Sequence, residues 1–366
     1  MDASLLTSSG FWEQSQPVGR GSIPEHPALL GHVLFETSGS SGAPKSVALS
    51  KRALLTSAAA VNQHLGVTCA SRWGLALPLH HVGGFGVAAR AYQAGCALDA
   101  FSLRWEAAAF ARWLADGEVS HTSLVPTQVH DLVRAALTAP TTLRAIVVGG
   151  GHLDPATGQA ARDLGWPILA SYGMTEAGSQ IATQPLDLLD QPYQSSPLPL
   201  LPIWTGRTGA DQALIISGPA LFSGYVIDGV FQPLAGAEFV TADRVDLQGR
   251  ALTPLGRADT QIKILGELVD PEAVERELIR LSHGKIRAGT MAVIAIPDER
   301  AGYLLVPCFE SSIPQGVVDS TLAAYQSSAP GYKRLKPAIR MDTLPRSELG
   351  KLRRASLRDS FIPNNF

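Results

Sequence analysis

The stretch "FETSGSSGAPKSVALS", residues 35–50, is the strongest indication of the fold in this part of the chain. Its centre consists of Thr, Ser and Gly, and Pro44 and Lys45 follow, between two apolar runs. Glycines let backbone amides approach an anion, hydroxyls donate hydrogen bonds and a lysine adds positive charge. The stretch therefore predicts a phosphate-binding loop that joins a buried strand to a helix whose N-terminus points back at the loop. It is not a Walker A loop, because GxxxxGK[ST] is absent. A flexible surface loop remains the alternative for this stretch alone.

The bulk composition indicates a globular protein with more than one domain. The chain has 366 residues, of which 45% are hydrophobic and 17% charged. A net charge of −2 argues against a nucleic-acid-binding surface. No signal peptide and no membrane-spanning run stand out, so we expect a cytoplasmic protein without membrane insertion. Cys69, Cys96 and Cys308 show no metal-binding spacing and are interpreted as buried small hydrophobic residues.

Strand, loop and helix patterns alternate along the first half of the chain. Examples are the strands "LRAIVVGGG" (143–151) and "PILASYGM" (167–174), each running into a glycine-containing loop. We expect an α/β fold whose large N-terminal domain has mainly parallel sheets with helices. Short strands after Asp187 add a small β subdomain, and a small, mobile α+β domain follows. The expected domains are 1–257 and 258–366, with Asp270 and Pro271 starting a helix in the second.

Further motifs follow the opening loop in a fixed order. They are "SYGMTEAG" (171–178), "FVTADRVD" (239–246), "GRADTQIKILGELVDPEAVE" (256–275) and "PRSELGKLRR" (345–354). Together with the loop, they resemble the signatures of the AMP-forming acyl-adenylate synthetases, a superfamily that includes acyl-CoA synthetases, adenylation domains and luciferases. The resemblance extends from about Leu34 to Arg354. It implies an AMP-forming acid–thiol ligase that requires Mg²⁺ and uses ATP, CoA and a small carboxylic acid.

The resemblance also implies an ATP site with particular chemistry. Tyr172 is expected to stack on adenine, opposite the glycines that end the preceding strand. Glu176 is a hard oxygen ligand suited to Mg²⁺, and Asp243 with Arg257 suits the ribose hydroxyls. A core tyrosine, a surface acid and a turn aspartate are the respective alternatives. The expected ATP-binding residues are Thr37, Ser38, Gly39, Ser40, Ser41, Gly42, Lys45, Gly149, Gly150, Gly151, Tyr172, Gly173, Met174, Thr175, Asp243 and Arg257.

Lys351 is the residue expected to act in the first chemical step. A carboxylate that attacks the α-phosphate brings two anions together, and an ammonium group offsets their repulsion. A solvated tail lysine is the alternative. The expected catalytic residues are Lys351, Glu176, Thr175 and His81. The superfamily rotates its small domain between half-reactions, which implies a hinge at Asp259 and a CoA tunnel lined by Gly266 and Glu267.

Particular stretches of the sequence narrow the choice of the carboxylic acid substrate. "LALPLHHVGGFGV" (75–87) resembles a stretch of acyl-CoA synthetases. "SHTSLVPTQVHDLV" (120–133) and "LRAIVVGGGHLDP" (143–155) look most like the o-succinylbenzoate–CoA ligases of menaquinone (vitamin K2) biosynthesis. The glycines are expected to leave room for an aryl group, and the polar side chains to contact a second carboxylate. The expected acid-binding residues are His81, Gly83, Gly84, Ser123, Thr127 and Gln128. Three departures stand out: a short segment before the loop, Ala242 where the family usually has glycine, and Leu265 in a segment that is glycine-rich in these ligases.

Other functions stay open at this point. The chain is alternatively a ligase for another aryl or fatty acid, an adenylating enzyme that loads a carrier protein, or a catalytically silent nucleotide-binding homologue. The last is disfavoured by five intact functional side chains: Lys45, Glu176, Asp243, Arg257 and Lys351. A homodimer is one open possibility for the assembly.

Overall fold

The computed structural model describes residues 2–20, 23–38, 44–347, 350 and 352–361. The chain divides into two compact units. The first is Met1–Thr241 with Val245–Pro254, and the second is Ala242–Arg244 with Leu255–Phe366. Among the described residues, no helix is both long and apolar enough to cross a membrane.

A mainly parallel sheet forms the centre of the first unit, in the order β4-β3-β5-β6-β7-β8. Its strands are β3 (Arg72–Leu75), β4 (Ala97–Ala100), β5 (His121–Leu124), β6 (Ala145–Val148), β7 (Ile168–Met174) and β8 (Ser179–Thr183). Neighbours are parallel from β4 to β7, and β8 is antiparallel to β7. The connecting helices are α3 (Val82–Ala94), α4 (Ala107–Asp116), α5 (Pro126–Arg134) and α6 (Pro155–Asp163). This arrangement confirms the predicted α/β class.

Helix–sheet packing builds the core of this unit. Strands β5 and β6 are buried at every position, as expected where helices cover both faces of a parallel sheet. Phe110 and Leu114 lie four residues apart on α4 and are both fully buried, because this spacing puts them on one helix face. Trp73 and Trp166 fill the same cluster. The carboxyl ends of the parallel strands are thereby held at one edge of a rigid sheet.

The quoted opening stretch forms a hairpin instead of a strand that leads directly into a helix. Strand β1 (His32–Ser38) pairs antiparallel with β2 (Pro44–Ser50), and α2 (Lys51–His64) begins only after β2. Because His32 pairs with Ser50, α2 starts at the end of the hairpin opposite to the loop. The prediction that this helix points its N-terminus at the loop is therefore wrong. The loop tip, residues 39–43, lies outside the described residues.

The remaining sheets of the first unit are antiparallel where their pairings are described. The hairpin continues through β12 (Gly224–Ile227) to β13 (Val230–Pro233). A separate sheet has the order β10-β11-β14-β15-β9 and corresponds to the stretch predicted as a small β subdomain. Its strands are β9 (Leu198–Pro199), β10 (Thr205–Thr208), β11 (Ala213–Ser217), β14 (Glu238–Gln248) and β15 (Ala251–Arg257). Residues 242–244 of β14 and 255–257 of β15 are grouped with the second unit. Near the N-terminus, α1 (Ser9–Glu13) is tied to α2 by the ammonium of Lys51, which donates to the carbonyls of Phe11 and Gln14.

The second unit is an α+β arrangement. A hairpin of β16 (Ile262–Ile264) and β17 (Glu267–Val269) precedes a sheet ordered β18-β19-β20. The sheet strands are β18 (Met291–Asp298), β19 (Gly302–Glu310) and β20 (Ile339–Met341), and the helices are α7 (Pro271–Leu281), α8 (Gln315–Ser328) and α9 (Arg354–Asp359). Asp270 caps α7 by accepting a hydrogen bond from the amide of Glu272 at 2.9 Å, as its position before Pro271 predicts.

A buried ion network joins α7, α9 and β18. The Arg354 guanidinium donates to Glu275 at 2.6 Å and pairs with Glu272 at 3.2 Å. The other carboxylate oxygen of Glu275 accepts the amide of Val293 at 2.8 Å. Glu275 is 9% exposed, so its charge depends on these partners. The network fixes the start of α9, three residues after Lys351.

We expect Arg354→Met to destabilise the second unit by about 3–5 kcal/mol, because Glu275 then keeps a buried charge without its guanidinium partner. Differential scanning calorimetry at about pH 7 measures the shift. Arg358→Met on the same helix is the control: the Arg358–Asp359 pair is solvent-exposed, and its loss is expected to cost under about 1 kcal/mol. Equal stability losses in the two variants would contradict a special role for the buried pair.

Candidate active site

Glycines and a tyrosine lie at the carboxyl ends of two neighbouring strands of the central sheet. β6 and β7 are adjacent and parallel, and Val148 is paired with Ala170. Gly149–Gly151 follow β6, whereas Tyr172 lies two residues beyond Ala170 on β7, so both predicted groups reach the same edge. A Cβ atom on Gly149 would lie 4.0 Å from the Ser171 carbonyl oxygen. The edge therefore has the flat, side-chain-poor surface that a nucleobase requires beside a partly buried tyrosine.

The remaining residues of the 171–178 motif shape the backbone. A Cβ atom on Gly173 would lie 1.6 Å from the Ser179 carbonyl oxygen, at an irregularity in the β7–β8 pairing. Gly173 is thus required by strand packing, whatever else it does. Met174 packs against the core, and Thr175 starts a short 3₁₀ turn that presents Glu176. Gly178 closes this turn with a φ of +61°, a conformation that favours glycine.

Lys45, Glu176 and Tyr225 form a cluster, here called the carboxylate–lysine cluster. The Tyr225 hydroxyl donates to Oε1 of Glu176 at 2.8 Å. The Lys45 ammonium lies 3.8 Å from the same oxygen and 4.1 Å from the centre of the Tyr225 ring. The hydroxyl of Thr37, paired with Lys45 across the hairpin, donates to the Lys45 carbonyl at 3.3 Å. The structure therefore brings together Thr37, Lys45 and Glu176, which the motifs only suggested.

The cluster can hold a magnesium ion only together with a ligand. Among the described residues, no group of three or more His, Cys, Asp or Glu side chains could bind a metal. Glu176 offers one carboxylate oxygen, Oε2, that accepts no hydrogen bond from the described part of the chain. Mg²⁺ prefers oxygen ligands and usually keeps waters while binding one or two carboxylates and phosphates. The residues present therefore fit Mg²⁺ shared with a polyphosphate.

Asp243 and Arg257, the predicted ribose-binding residues, lie together in the second unit. Nη1 of Arg257 donates to Oδ1 of Asp243 at 2.8 Å. The Asp243 side chain is 14% exposed and that of Arg257 is 48% exposed. Such a partly exposed pair adds little to stability, but the guanidinium fixes the carboxylate orientation.

Arg90 is a buried cation that the sequence analysis did not select. It lies on α3 and is 2% exposed. Its guanidinium donates to the hydroxyls of Ser123 at 3.1 Å and Ser179 at 3.5 Å, and lies 5.3 Å from the Trp73 ring centre. It forms no ion pair with any carboxylate of the described residues. Burial lowers the pKa of Arg90 to about 10, so the guanidinium stays protonated at about pH 7.

Gly86 keeps space beside this guanidinium. A Cβ atom on Gly86 would lie 3.2 Å from Nη2 of Arg90 and 3.6 Å from the Ser179 side chain. Ser179 itself has a φ of +108°, a strained value for a residue with a side chain. Strain of this kind persists where the surroundings impose it, and it is concentrated at functional sites. We call Arg90, Ser123 and Ser179 the buried arginine site.

Two of the predicted acid-binding residues have structural roles instead. Gln128 accepts the Val125 amide at 3.0 Å and donates to the Ala76 carbonyl at 3.4 Å, so its side chain is engaged in capping α5. Gly84 leaves no room for a ring, because its Cβ atom would lie 2.3 Å from the Pro78 carbonyl oxygen. The predictions that Gln128 contacts a second carboxylate and that Gly84 leaves room for an aryl group are therefore wrong.

The other predicted acid-binding residues lie on β5 or at the starts of α3 and α5. Ser123 belongs to the buried arginine site. Thr127 is in the first turn of α5, and Gly83 is in the first turn of α3. His81 is the N-cap residue of α3, where its side chain makes no capping bond, and its ring lies 4.3 Å from that of His80.

Some predicted residues lie outside the described part of the chain. These are Gly39, Ser40, Ser41, Gly42 and Lys351, together with the side chains of Ser38 and Asp259. Gly266 forms the β16–β17 turn with Leu265, at φ values of +89° and +51°. Positive φ at both central residues is typical of a two-residue hairpin turn. Leu265 and Glu267 are exposed there.

Comparison with known families agrees with this fold and these motifs. The family model for AMP-binding enzymes matches residues 24–226, more than half of the chain. The chain therefore belongs to the AMP-binding enzyme family.

Two curated relatives and three solved structures are similar to most of this chain. The 2-succinylbenzoate–CoA ligase of Salmonella typhimurium LT2 is 31% identical over 315 residues, covering 86% of this chain and 64% of the relative. The same ligase of Staphylococcus aureus MRSA252 is 27% identical over 343 residues, covering 90% and 66%. The chain thus spans about two thirds of the length of these relatives.

Among solved structures, Bacillus subtilis o-succinylbenzoate CoA synthetase (MenE) with ATP and magnesium has a TM-score of 0.74 and 26% identity, covering 89% of this chain and 70% of that one. Its complex with the acyl-adenylate OSB-AMP has a TM-score of 0.72 and 24% identity, with coverage of 89% and 69%. ATP-bound MatB from Rhodopseudomonas palustris has a TM-score of 0.75 and 22% identity, with coverage of 90% and 68%. The last two support the fold alone.

Proposed function

We propose that this chain is an ATP-dependent, AMP-forming acid–CoA ligase whose acid is 2-succinylbenzoate, as in menaquinone biosynthesis. The buried arginine site carries the choice of acid. A desolvated guanidinium without a protein carboxylate is costly, and a ligand carboxylate offsets that cost. 2-Succinylbenzoate has two carboxylates, so one can pair with Arg90 while the other reacts. Ser123 and Ser179 then fix the guanidinium by their hydroxyls.

The nucleotide is assigned to the motif residues. Thr37 and Lys45 contact the phosphates, Tyr172 with Gly149–Gly151 holds adenine, and Asp243 with Arg257 holds the ribose. Glu176 would hold Mg²⁺, which supplies positive charge to the phosphate oxygens when bound. The Bacillus subtilis synthetase was solved in complex with ATP and magnesium, which supports ATP and Mg²⁺ as ligands of this chain.

The chemistry then proceeds in two displacements. A carboxylate oxygen of the acid attacks the α-phosphorus, and the bond to pyrophosphate breaks to give the acyl-adenylate. The Lys351 ammonium offsets the repulsion between the two anions in this step. The CoA sulfur, losing its proton, next attacks the acyl carbon, and AMP leaves with the bond electrons. We propose that residues 258–366 rotate about Asp259 between these steps, bringing Gly266 and Glu267 to the CoA.

Pyrophosphate release and thioester formation test the proposal with matched acids. 2-Succinylbenzoate is compared with 3-benzoylpropionate and 2-butanoylbenzoate, each of which lacks one of its carboxylates. Benzoate and a medium-chain fatty acid complete the series, with and without CoA. We expect turnover with the diacid to exceed that with either monoacid by at least about a hundredfold.

The outcomes separate the alternatives. A preference for another acid would agree with the proposed mechanism but contradict 2-succinylbenzoate as the substrate. Pyrophosphate release without thioester would point to another acyl acceptor. No turnover by folded protein that binds ATP would overturn the activity and favour a silent homologue.

A further inference from the structure

Tyr225 contacts two functional groups of the carboxylate–lysine cluster at once. Its hydroxyl binds Glu176, and its ring faces the ammonium of Lys45. None of the motifs includes this residue, because the contact depends on strand pairing between distant segments. Strand β12 pairs with β2, placing Tyr225 opposite Val47 and Ile227 opposite Lys45.

The position of Tyr225 is fixed by its surroundings. Just before β12, the Phe222 amide donates to the Glu176 carbonyl at 2.8 Å, and the Ser223 amide donates to the Ala48 carbonyl at 2.8 Å. The Phe222 and Tyr225 rings pack with their centres 4.7 Å apart. These contacts tie the tyrosine to both segments that carry the cluster, so its hydroxyl can orient a neighbour without first being ordered itself.

The distances in the cluster show what the tyrosine does. Lys45 and Glu176 are 3.8 Å apart, which is longer than the roughly 2.7–2.9 Å of a charge-assisted hydrogen bond. The tyrosine ring attracts the ammonium and its hydroxyl satisfies Oε1 of the carboxylate. The Lys45 ammonium and the Glu176 carboxylate are therefore both stabilised without forming a direct hydrogen bond to each other. The ammonium remains suited to a phosphate, and Oε2 of Glu176 to a metal.

We propose that Tyr225 is a positioning residue for metal-nucleotide binding. Its hydroxyl holds Oε1 of Glu176, so that Oε2 is presented to the metal, and its ring keeps the Lys45 ammonium from forming a direct hydrogen bond to the carboxylate. This inference rests on the proposed function, since it assumes that Glu176 binds the metal of a metal–ATP complex. Hydrogen bonds to a ligating carboxylate orient it, and their loss typically lowers metal affinity 10- to 100-fold.

Tyr225→Phe is the informative change, because it removes the hydroxyl and keeps the ring. Mn²⁺ binding is measured by electron paramagnetic resonance in the presence of α,β-methylene-ATP, and nucleotide affinity without metal is measured in EDTA by calorimetry. We expect Mn²⁺ affinity to fall about 10- to 100-fold while metal-free nucleotide affinity changes by less than about threefold. The control is Tyr92→Phe, whose ring stacks on Trp12 and whose hydroxyl makes no hydrogen bond in the described structure; it should bind Mn²⁺ like the parent chain.

A second variant tests whether the hydroxyl acts through the carboxylate. In a Glu176→Ala background, Tyr225→Phe is expected to change Mn²⁺ affinity by less than about twofold. Unchanged Mn²⁺ binding by Tyr225→Phe alone overturns the inference and leaves the proposed function intact. An equal loss of metal-free nucleotide binding also overturns it, since that would show a general structural role. A parent chain that binds neither Mn²⁺ nor nucleotide would overturn both.

Discussion

Replacing Arg90 by methionine is expected to lower kcat/KM for 2-succinylbenzoate by about two to three orders of magnitude and to leave the folded chain no less stable. Losing one partner of a buried, hydrogen-bonded charge pair costs about 2–5 kcal/mol of binding. Each 1.4 kcal/mol is roughly a factor of ten. The loss belongs to the complex with the acid, because Arg90 has no carboxylate partner among the described residues of the chain.

The stability part of this prediction follows from burial. Arg90 is 2% exposed, and among the described residues its guanidinium donates only to two serine hydroxyls, so the folded chain bears most of its desolvation cost. A methionine fills similar space without that cost, and replacing buried ions by apolar groups is often neutral or stabilising. If Arg90 served stability alone, its replacement by methionine would lower the stability of the folded chain.

Kinetics and thermal unfolding of the same variant separate these explanations. Arg112→Met on α4 provides the control, since the Arg112 side chain is 70% exposed and its pairing is weak. 3-Benzoylpropionate and 2-butanoylbenzoate serve as comparison acids: with the one that lacks the Arg90-bound carboxylate, the loss in Arg90→Met should nearly disappear. A uniform loss for all acids, accompanied by a lower Tm, would sink the assignment of Arg90 to the acid.

Local patterns in the sequence were sufficient for much of the fold. Buried strands such as β6 and β7 each run into glycines, and this pattern alone marks the functional edge of the sheet. Strand β2 was missed, because residues 44–50 are a short polar and apolar mixture whose extended conformation is set by pairing with β1 on one side and β12 on the other. Such pairing is a long-range property and does not follow from local periodicity.

The sequence predicts those site residues that belong to recognisable motifs. It does not predict those whose role depends on tertiary contacts. Lys45 and Glu176 were selected from separate motifs and lie in one cluster. Arg90 has the sequence context of an ordinary helical arginine and differs from one only in its burial, and Tyr225 is positioned by strand pairing. Gln128 was misassigned because a glutamine three residues into a helix also caps it, and the hydrogen bonds in the fold show that capping prevails.

Replacing Lys351 by alanine is expected to slow acyl-adenylate formation by about two to three orders of magnitude. Thioester formation from supplied acyl-adenylate and CoA should change by less than about threefold, because the thiol attacks the acyl carbon in that step and no anion approaches the phosphorus atom. The residues that flank Lys351 are anchored within the second unit: Arg346 donates to the Gly350 carbonyl at 3.2 Å, and the Arg353 amide donates to the Pro345 carbonyl at 2.8 Å.

Single-turnover measurements of each half-reaction provide the test, with pyrophosphate release for the first and thioester formation for the second. Lys336→Ala is the matched control, because Lys336 is an exposed lysine of the same unit whose ammonium forms no hydrogen bond or ion pair among the described residues. It should leave both rates unchanged. An equal fall in both half-reactions for Lys351→Ala would mean that this lysine supports the fold or CoA binding. A fall in the first half-reaction alone would place the Lys351 cation at the attacked α-phosphate, because only in that step does the acid's carboxylate approach an anionic phosphate.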